Sequence, residues 1–188
     1  MGVWQSETST LIHDPGAPAG ERWKVLWFQY LNANLTPYFF DYSWLAMKAA
    51  ATPEGLATAT PVKLFAGFGL QDDGETTVAP VFSPLGGPPA IHLDSDLTQV
   101  VYLATFCGDP ITTDKYIVGF RCAAPCSMTS ATSWEYLGRV LTPTDAANAT
   151  GHAHVQAPAF VEQAGKVYLV ASYCIPMARI EVLHVVRT

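Results

Sequence analysis

Three polar residues recur in similar surroundings along this chain of 188 residues. They are Asp14 in Thr10-Leu11-Ile12-His13-Asp14-Pro15, Asp94 in Ala90-Ile91-His92-Leu93-Asp94, and Gln156 in His154-Val155-Gln156-Ala157-Pro158. The two carboxylates can accept or deliver protons, whereas the amide of Gln156 can hydrogen-bond but has no titrating proton. His152 and His154 share the Gln156 face of an extended strand by the two-residue period, and imidazole titrates nearest neutrality. Cys122 and Cys126 with His152 and His154 supply four side chains that zinc could take as thiolates and imidazoles. Their spacing matches no standard finger, so a structural disulfide involving the same cysteines ranks above the metal. A serine nucleophile has no Gly-x-Ser-x-Gly elbow to sit on, and Gly67-Phe68-Gly69 lacks the downstream glycine and helix of a nucleotide loop.

Each marker also has a plain structural reading. Asp before Pro starts turns, Asp94-Ser95-Asp96 reads as a solvated turn, and Gln156 can serve as a hydrogen-bonder between layers.

The elements that must position these residues are strands. Apolar residues come in short or alternating runs, and turn residues interrupt them every eight to fifteen positions. Strands are expected at Trp23 to Leu31, Tyr42 to Ala49, Ala59 to Phe65, Val100 to Phe106, Tyr116 to Arg121, Trp134 to Leu141, Val155 to Val161, Val167 to Tyr173 and Ile180 to Val186. The alanines of Ala46 to Leu56 suit a helix, but Thr52-Pro53-Glu54-Gly55 is a turn signal that cuts it. A Gly165-Lys166 turn joins the last two aromatic runs.

A repeat organises the strands. In each unit a short first strand carries the polar marker and an aromatic second strand follows, and in the first two units a third and a fourth strand follow. Radially repeated, four-stranded antiparallel units make a β-propeller. The units fall at about 10-66, 90-141 and 153-188 of a single domain. The markers lie 80 and 62 positions apart, so the chain holds two full units and about half of a third. Propellers close with about four to eight blades, so the ring is expected to be incomplete here. A β-sandwich or jelly roll is the alternative all-β architecture.

Composition narrows the partners. The chain is 49% hydrophobic and 14% charged, enough apolar material for one packed domain. Its net charge of −6 leaves no basic surface for phosphates, which argues against nucleic acid and anionic membrane. No apolar run approaches the roughly 20 residues of a membrane span, and the opening residues show no secretory signal. Four cysteines in a loop-rich chain favour an oxidising, extracellular or periplasmic compartment.

With these features the chain resembles the five-bladed β-propeller glycoside hydrolases of the arabinanase and β-xylosidase kind and their wider superfamily. In that family the first strands deliver an Asp general base in an Asp-Pro motif, a second Asp that tunes the acid, and a Glu general acid before Gly/Ala-Pro. The resemblance implies Asp14 as base, Asp94 as tuning carboxylate, and Gln156-Ala157-Pro158 at the general-acid motif. It extends over the blade cores and not the loops.

Gln156 departs from the pattern where the chemistry is most demanding, since inverting hydrolysis needs a carboxylic acid and a carboxylate about 6.5 to 9.5 Å apart. General-acid assistance is worth roughly 10²- to 10⁴-fold in rate. A chain with Gln in that place is a sugar binder, a weak enzyme, or an enzyme with another acid. Glu162 is the obvious substitute, sharing the Gln156 face of a regular strand but nearly 20 Å along it, and His152 and His154 share that face much closer.

The expectation is therefore a carbohydrate-active protein that hydrolyses or binds an oligo- or polysaccharide. Gln156, His154, His152, His92 and an aromatic loop with Tyr38 and Phe39 would contact the sugar. The alternative is a non-catalytic glycan-binding or protein-interaction module. The residues themselves require no cofactor, and the resemblance leaves a central metal ion open. Self-association, or a further chain, is expected to complete the ring.

Overall fold

The computed structural model describes residues 3–32, 43–66, 89–93, 101–108, 115–122, 126–142, 144, 145, 147, 155–174 and 180–186. Over these residues the protein is all-β. Its strands in chain order are β1 Val3–His13, β2 Trp23–Asn32, β3 Ser43–Ala50, β4 Val62–Ala66, β5 Ala90–Leu93, β6 Val101–Gly108, β7 Lys115–Cys122, β8 Trp134–Leu141, β9 Gln156–Gln163, β10 Lys166–Cys174 and β11 Ile180–Val186. They make three antiparallel sheets, β1-β2-β3-β4, β5-β6-β7-β8 and β9-β10-β11, each a simple meander. A jelly roll requires two sheets linked by crossing connections. Three sequential meanders lack such crossings over the described strands, and the architecture is propeller-like.

Two strands, Trp134–Leu141 and Ile180–Val186, coincide with the periodicity, and most others differ by one or two residues at an end. The larger differences have local causes. β1 runs for eleven residues, longer than the short first strand expected, because it pairs with β2 from Val3↔Asn32 to His13↔Trp23 around one register shift between Glu7 and Ser9. β4 starts only at Val62, because Glu54–Ala57 forms a 3-10 turn after β3. That turn begins where Thr52 Oγ1 accepts from the Gly55 amide at 3.2 Å, so the alanine-rich segment ends as a strand at Ala50 and never becomes a helix.

Alternation along β2 divides the faces of the first sheet. Lys24, Leu26 and Phe28 are buried, while Trp23, Val25, Trp27 and Gln29 lie half-buried on the opposite face. The β3–β4 ladder skips Leu64 between Leu45↔Phe65 and Ala46↔Lys63, and this bulge lets both Leu64 and Phe65 enter the core.

The first and second sheets pack face to face. Ile12, Leu26, Phe28, Leu45, Met47, Leu64 and Phe65 meet Val118, Phe120, Cys122 and Trp134 in one buried cluster. Phe65 stacks on Phe120 with centroids 4.2 Å apart and meets the edge of Trp134 at 6.0 Å. The buried Trp134 indole N–H donates to the Met128 carbonyl at 3.0 Å, which satisfies its polar edge.

On the opposite face of the second sheet, Ile117 and Leu141 pack with Val155, Leu169 and Ala171 at the third sheet. β7 can serve both layers because its successive residues point to opposite faces. Its Gly119 opposes Gly138, which has φ 92°, and a Cβ at Gly119 would lie 2.8 Å from Val140 Cγ1. The β7–β8 ladder is bulged on both sides of that pair. The sheets thus stand in series: first on second, second on third.

Candidate functional site

Asp14 closes β1 and opens the turn into β2. Its N–H donates to the Arg22 carbonyl at 2.8 Å, and its carbonyl accepts from the Ala17 amide at 3.2 Å. The side chain mimics a backbone acceptor two residues on, with Oδ1 accepting from the Gly16 amide at 3.1 Å. Oδ2 accepts from Lys24 Nζ at 3.2 Å.

Lys24 stands on the core face of β2 with its side chain 1% exposed, and its ammonium also donates to the Glu21 carbonyl. An ammonium so far from water needs partners, since stripping an ion of solvent costs several kcal/mol. Both Asp14 oxygens are therefore engaged inside their own hairpin, while 16% of the Asp14 side chain stays accessible. Beside them the His13 and Trp23 rings lie 4.5 Å apart, tilted by 32°. No sequence motif marks Lys24. Its signal was available, because a lysine that alternates in phase with Leu26 and Phe28 must find an anion or acceptor.

Contacts between sheets bring the first strands of the three meanders together. Thr10 Oγ1 near the end of β1 donates to the Pro89 carbonyl, just before β5, at 3.1 Å. On β5, the half-buried His92 ring lies 5.8 Å from the Phe160 ring of β9. β5 and β9 are therefore neighbours, and the end of β1 reaches the residue just before β5. Phe160 was not singled out in the sequence; it marks where β9 meets β5.

Gln156 is the first residue of β9 and pairs with Ser172 on β10. The ladder then shifts, because Ala157 and Pro158 oppose Ala171 alone before Ala159↔Val170. Proline has no amide to give a ladder, so it sits at a bulge on this edge strand. The bulge breaks the two-residue alternation that would give positions 156 and 162 a common face. Glu162 is exposed at the other end of β9, beside the Ala164-Gly165 hairpin turn, and pairs with Val167.

Position within the hairpins separates the candidates into two groups. Asp14 follows β1 at its hairpin turn, and Glu162 lies next to the β9–β10 turn. Gln156 stands seven residues before Gln163, about 23 Å along a strand at roughly 3.3 Å per residue. Asp94 follows β5 in sequence but lies outside the described residues, as do His152, His154, Tyr38 and Phe39.

Cys122 and Cys126 form a disulfide, with Cα atoms 5.4 Å apart, so they are not thiolate ligands for zinc. Among the described residues no three His, Cys, Asp or Glu side chains gather as a metal site requires. Nor is any helix among them long and apolar enough to cross a membrane. Glu54 is held below the usual carboxylate range by its own backbone N–H and by the Thr52 hydroxyl, but it lies in the β3–β4 connection, away from the first strands.

No family model matches the chain, and no curated protein matches its sequence. Among solved structures, an alpha-L-arabinofuranosidase from Lactobacillus brevis aligns with 85% of this chain and 45% of its own, at 17% identity and a TM-score of 0.49. The chain thus spans less than half the length of that protein.

Proposed function

We propose that this protein binds an oligo- or polysaccharide along the first strands of its sheets, as a non-catalytic counterpart of the propeller glycoside hydrolases it resembles in sequence. The observation that carries this reading is the double engagement of the Asp14 carboxylate, by the Gly16 amide and by Lys24. A general base needs an oxygen available to a water. Gln156 is neutral and has no titrating proton, so the residue at the general-acid motif cannot supply the acid that inversion demands.

Binding asks less of the same residues. An amide, an imidazole and the accessible edge of a carboxylate hydrogen-bond sugar hydroxyls, and aromatic rings cover the C–H faces of a pyranose or furanose. His92 beside Phe160 combines both kinds of contact at the β5–β9 seam. From the sequence, His152, His154, Tyr38, Phe39 and Asp94 are further candidates for contacting the sugar. Groups spread along a strand suit an extended chain of sugars better than a single ring. The Cys122–Cys126 disulfide favours an oxidising compartment, where such polymers are met outside the cell.

Hydrolysis is the second reading, with Asp14 as base, Asp94 as the tuning carboxylate and Gln156 with His154 near the leaving group. The residual accessibility of Asp14 favours it.

The deciding experiment screens arabinan, xylan and related oligosaccharides, following bound ligand and reducing-end release together. Saturable binding without release is the expected result. Release that vanishes in Asp14→Asn, measured below that variant's unfolding temperature, would establish the hydrolase; neither signal would remove the carbohydrate reading.

A further inference from the structure

Lys24 is the one buried charged side chain among the described residues. It stands on the core face of β2 opposite Ile12 of β1, with its ammonium 3.2 Å from Asp14 Oδ2 and donating as well to the Glu21 carbonyl. The Arg121–Glu135 pair, by contrast, is exposed on both sides. Ions withdrawn from water lose several kcal/mol of solvation each, even when they face one another. A single neutral amide in the place of Lys24 and Asp14 would carry no such cost.

We propose that Lys24 and Asp14 condense into an isopeptide bond, which makes the β1–β2 hairpin a site of covalent self-modification. Within the pair, one proton passes from Nζ to Oδ2 and leaves a neutral amine beside a neutral acid. The Nζ lone pair forms a bond to Asp14 Cγ, and the negative charge gathers on Oδ1, where the Gly16 amide donates at 3.1 Å. A backbone N–H aimed at that oxygen stabilises the charge as it develops. A second proton moves from the nitrogen to Oδ2, the Cγ–Oδ2 bond breaks, and water leaves. One ammonium and one carboxylate thereby become one secondary amide and one water, with no oxidant, reductant or cofactor.

The fold holds the two groups together before they react. The Asp14 N–H donates to the Arg22 carbonyl at 2.8 Å, and β1 pairs with β2 up to His13↔Trp23, so Asp14 and Lys24 meet across one closed turn. Groups fixed in contact react without a further loss of freedom. The 16% of the Asp14 side chain that stays accessible gives the released water an exit. In the product the Asp14 Oδ1 remains an acceptor for the Gly16 amide, and the new bond spans strands that are already neighbours. The ion pair is the state before reaction and the amide the state after it.

Intact mass spectrometry of the denatured, thiol-reduced protein tests this, on wild type newly purified and on wild type aged in its folded state. The expected result is a species lighter than the sequence mass by one water, complete on purification or accumulating with age. Trypsin should then release a branched peptide that joins residues 1–22 to residues 23–48 through Asp14 and Lys24. Lys24→Met, which has no amine, and Lys24→Arg, which keeps the cation, should both stay at full mass. Aged wild type at its full sequence mass overturns the proposal and leaves an ion pair only. So does a loss of water that persists in Lys24→Met, or one that forms as fast in wild type held unfolded in guanidinium. Sugar binding does not enter the measurement, so the carbohydrate reading stands or falls separately.

Discussion

Lys24 Nζ lies 3.2 Å from Asp14 Oδ2, and the lysine that makes this contact is buried on the core face of β2. The pair ties the β1–β2 turn to the core between the first and second sheets. Asp14→Asn keeps the size of the side chain but leaves the ammonium with only the Glu21 carbonyl as a strong partner. The expected loss is about 3 kcal/mol, the low end for breaking a buried pair. In Lys24→Met the flexible apolar chain stays in the core and no buried charge remains, so the Asp14→Asn/Lys24→Met double variant should recover most of the loss. Urea unfolding of the four-member cycle measures the coupling. A coupling near zero would show that the pair does not hold the hairpin.

Ala164 has φ 51° and the following Gly165 has φ 71°, so the β9–β10 hairpin turns with both central residues in the left-handed region. This turn suits the twist of the strands, but a Cβ in that region costs roughly 1–2 kcal/mol. Ala164→Asn or Ala164→Gly should therefore stabilise the protein by about 0.5–1 kcal/mol. The thermal midpoint should rise for both, and a fall in both would contradict the assigned turn.

Gly119→Ala should be among the more damaging small substitutions. The added methyl would meet Val140 Cγ1 at 2.8 Å, and a branched side chain in a bulged ladder has few ways to move. A loss of about 1–3 kcal/mol is expected, as for other overpacked sites. Combining it with Val140→Ala should restore part of that loss in chemical denaturation.

The Cys122–Cys126 disulfide closes a short loop between β7 and the segment that leads to Trp134. Chain-entropy arguments assign a loop of about five residues roughly 2 kcal/mol. Cys126→Ser should remove that contribution, and the remaining Cys122 thiol stays buried as a small apolar group. Reductant should lower the stability of wild type more than that of Cys126→Ser.

Glu54 supplies a pH signature. Its carboxyl is held below its ordinary value of 4.5 by its own backbone N–H and the Thr52 hydroxyl. A carboxyl lowered on folding adds stability that is present above the unfolded-state value and is lost as pH falls through the lower folded value. Thr52→Ala should move the Glu54 titration, followed by NMR, upward toward the ordinary range. An unchanged titration would exclude the hydroxyl as a cause.

Much of the strand pattern was legible in the sequence because it is local. From Trp134 to Val140, β8 alternates exposed residues with buried or half-buried ones, and the Thr52-Pro53-Glu54-Gly55 turn outweighed the alanines around it. Bulges were not legible. The skipped Leu64 in β4 and the Ala157-Pro158 bulge in β9 arise from pairing with a neighbouring strand, and each alters which residues share a face. That is why Glu162 and Gln156, in phase by counting, do not belong to one regular strand face.

By itself the sequence determined the all-β class, the repeating order of strands, the hairpin turns and the inventory of carboxylates, imidazoles and aromatic rings. Hydrophobic period and turn chemistry act over a few residues and can be read from them. Only the tertiary structure decided the partners: Lys24 for Asp14, Phe160 for His92, Cys126 for Cys122, and the second sheet as the layer between the other two. Most of these contacts join separate elements, and all depend on how strands register and sheets stack. A charge such as that of Lys24 announces that a partner is needed, but the geometry of the folded hairpin selects which one.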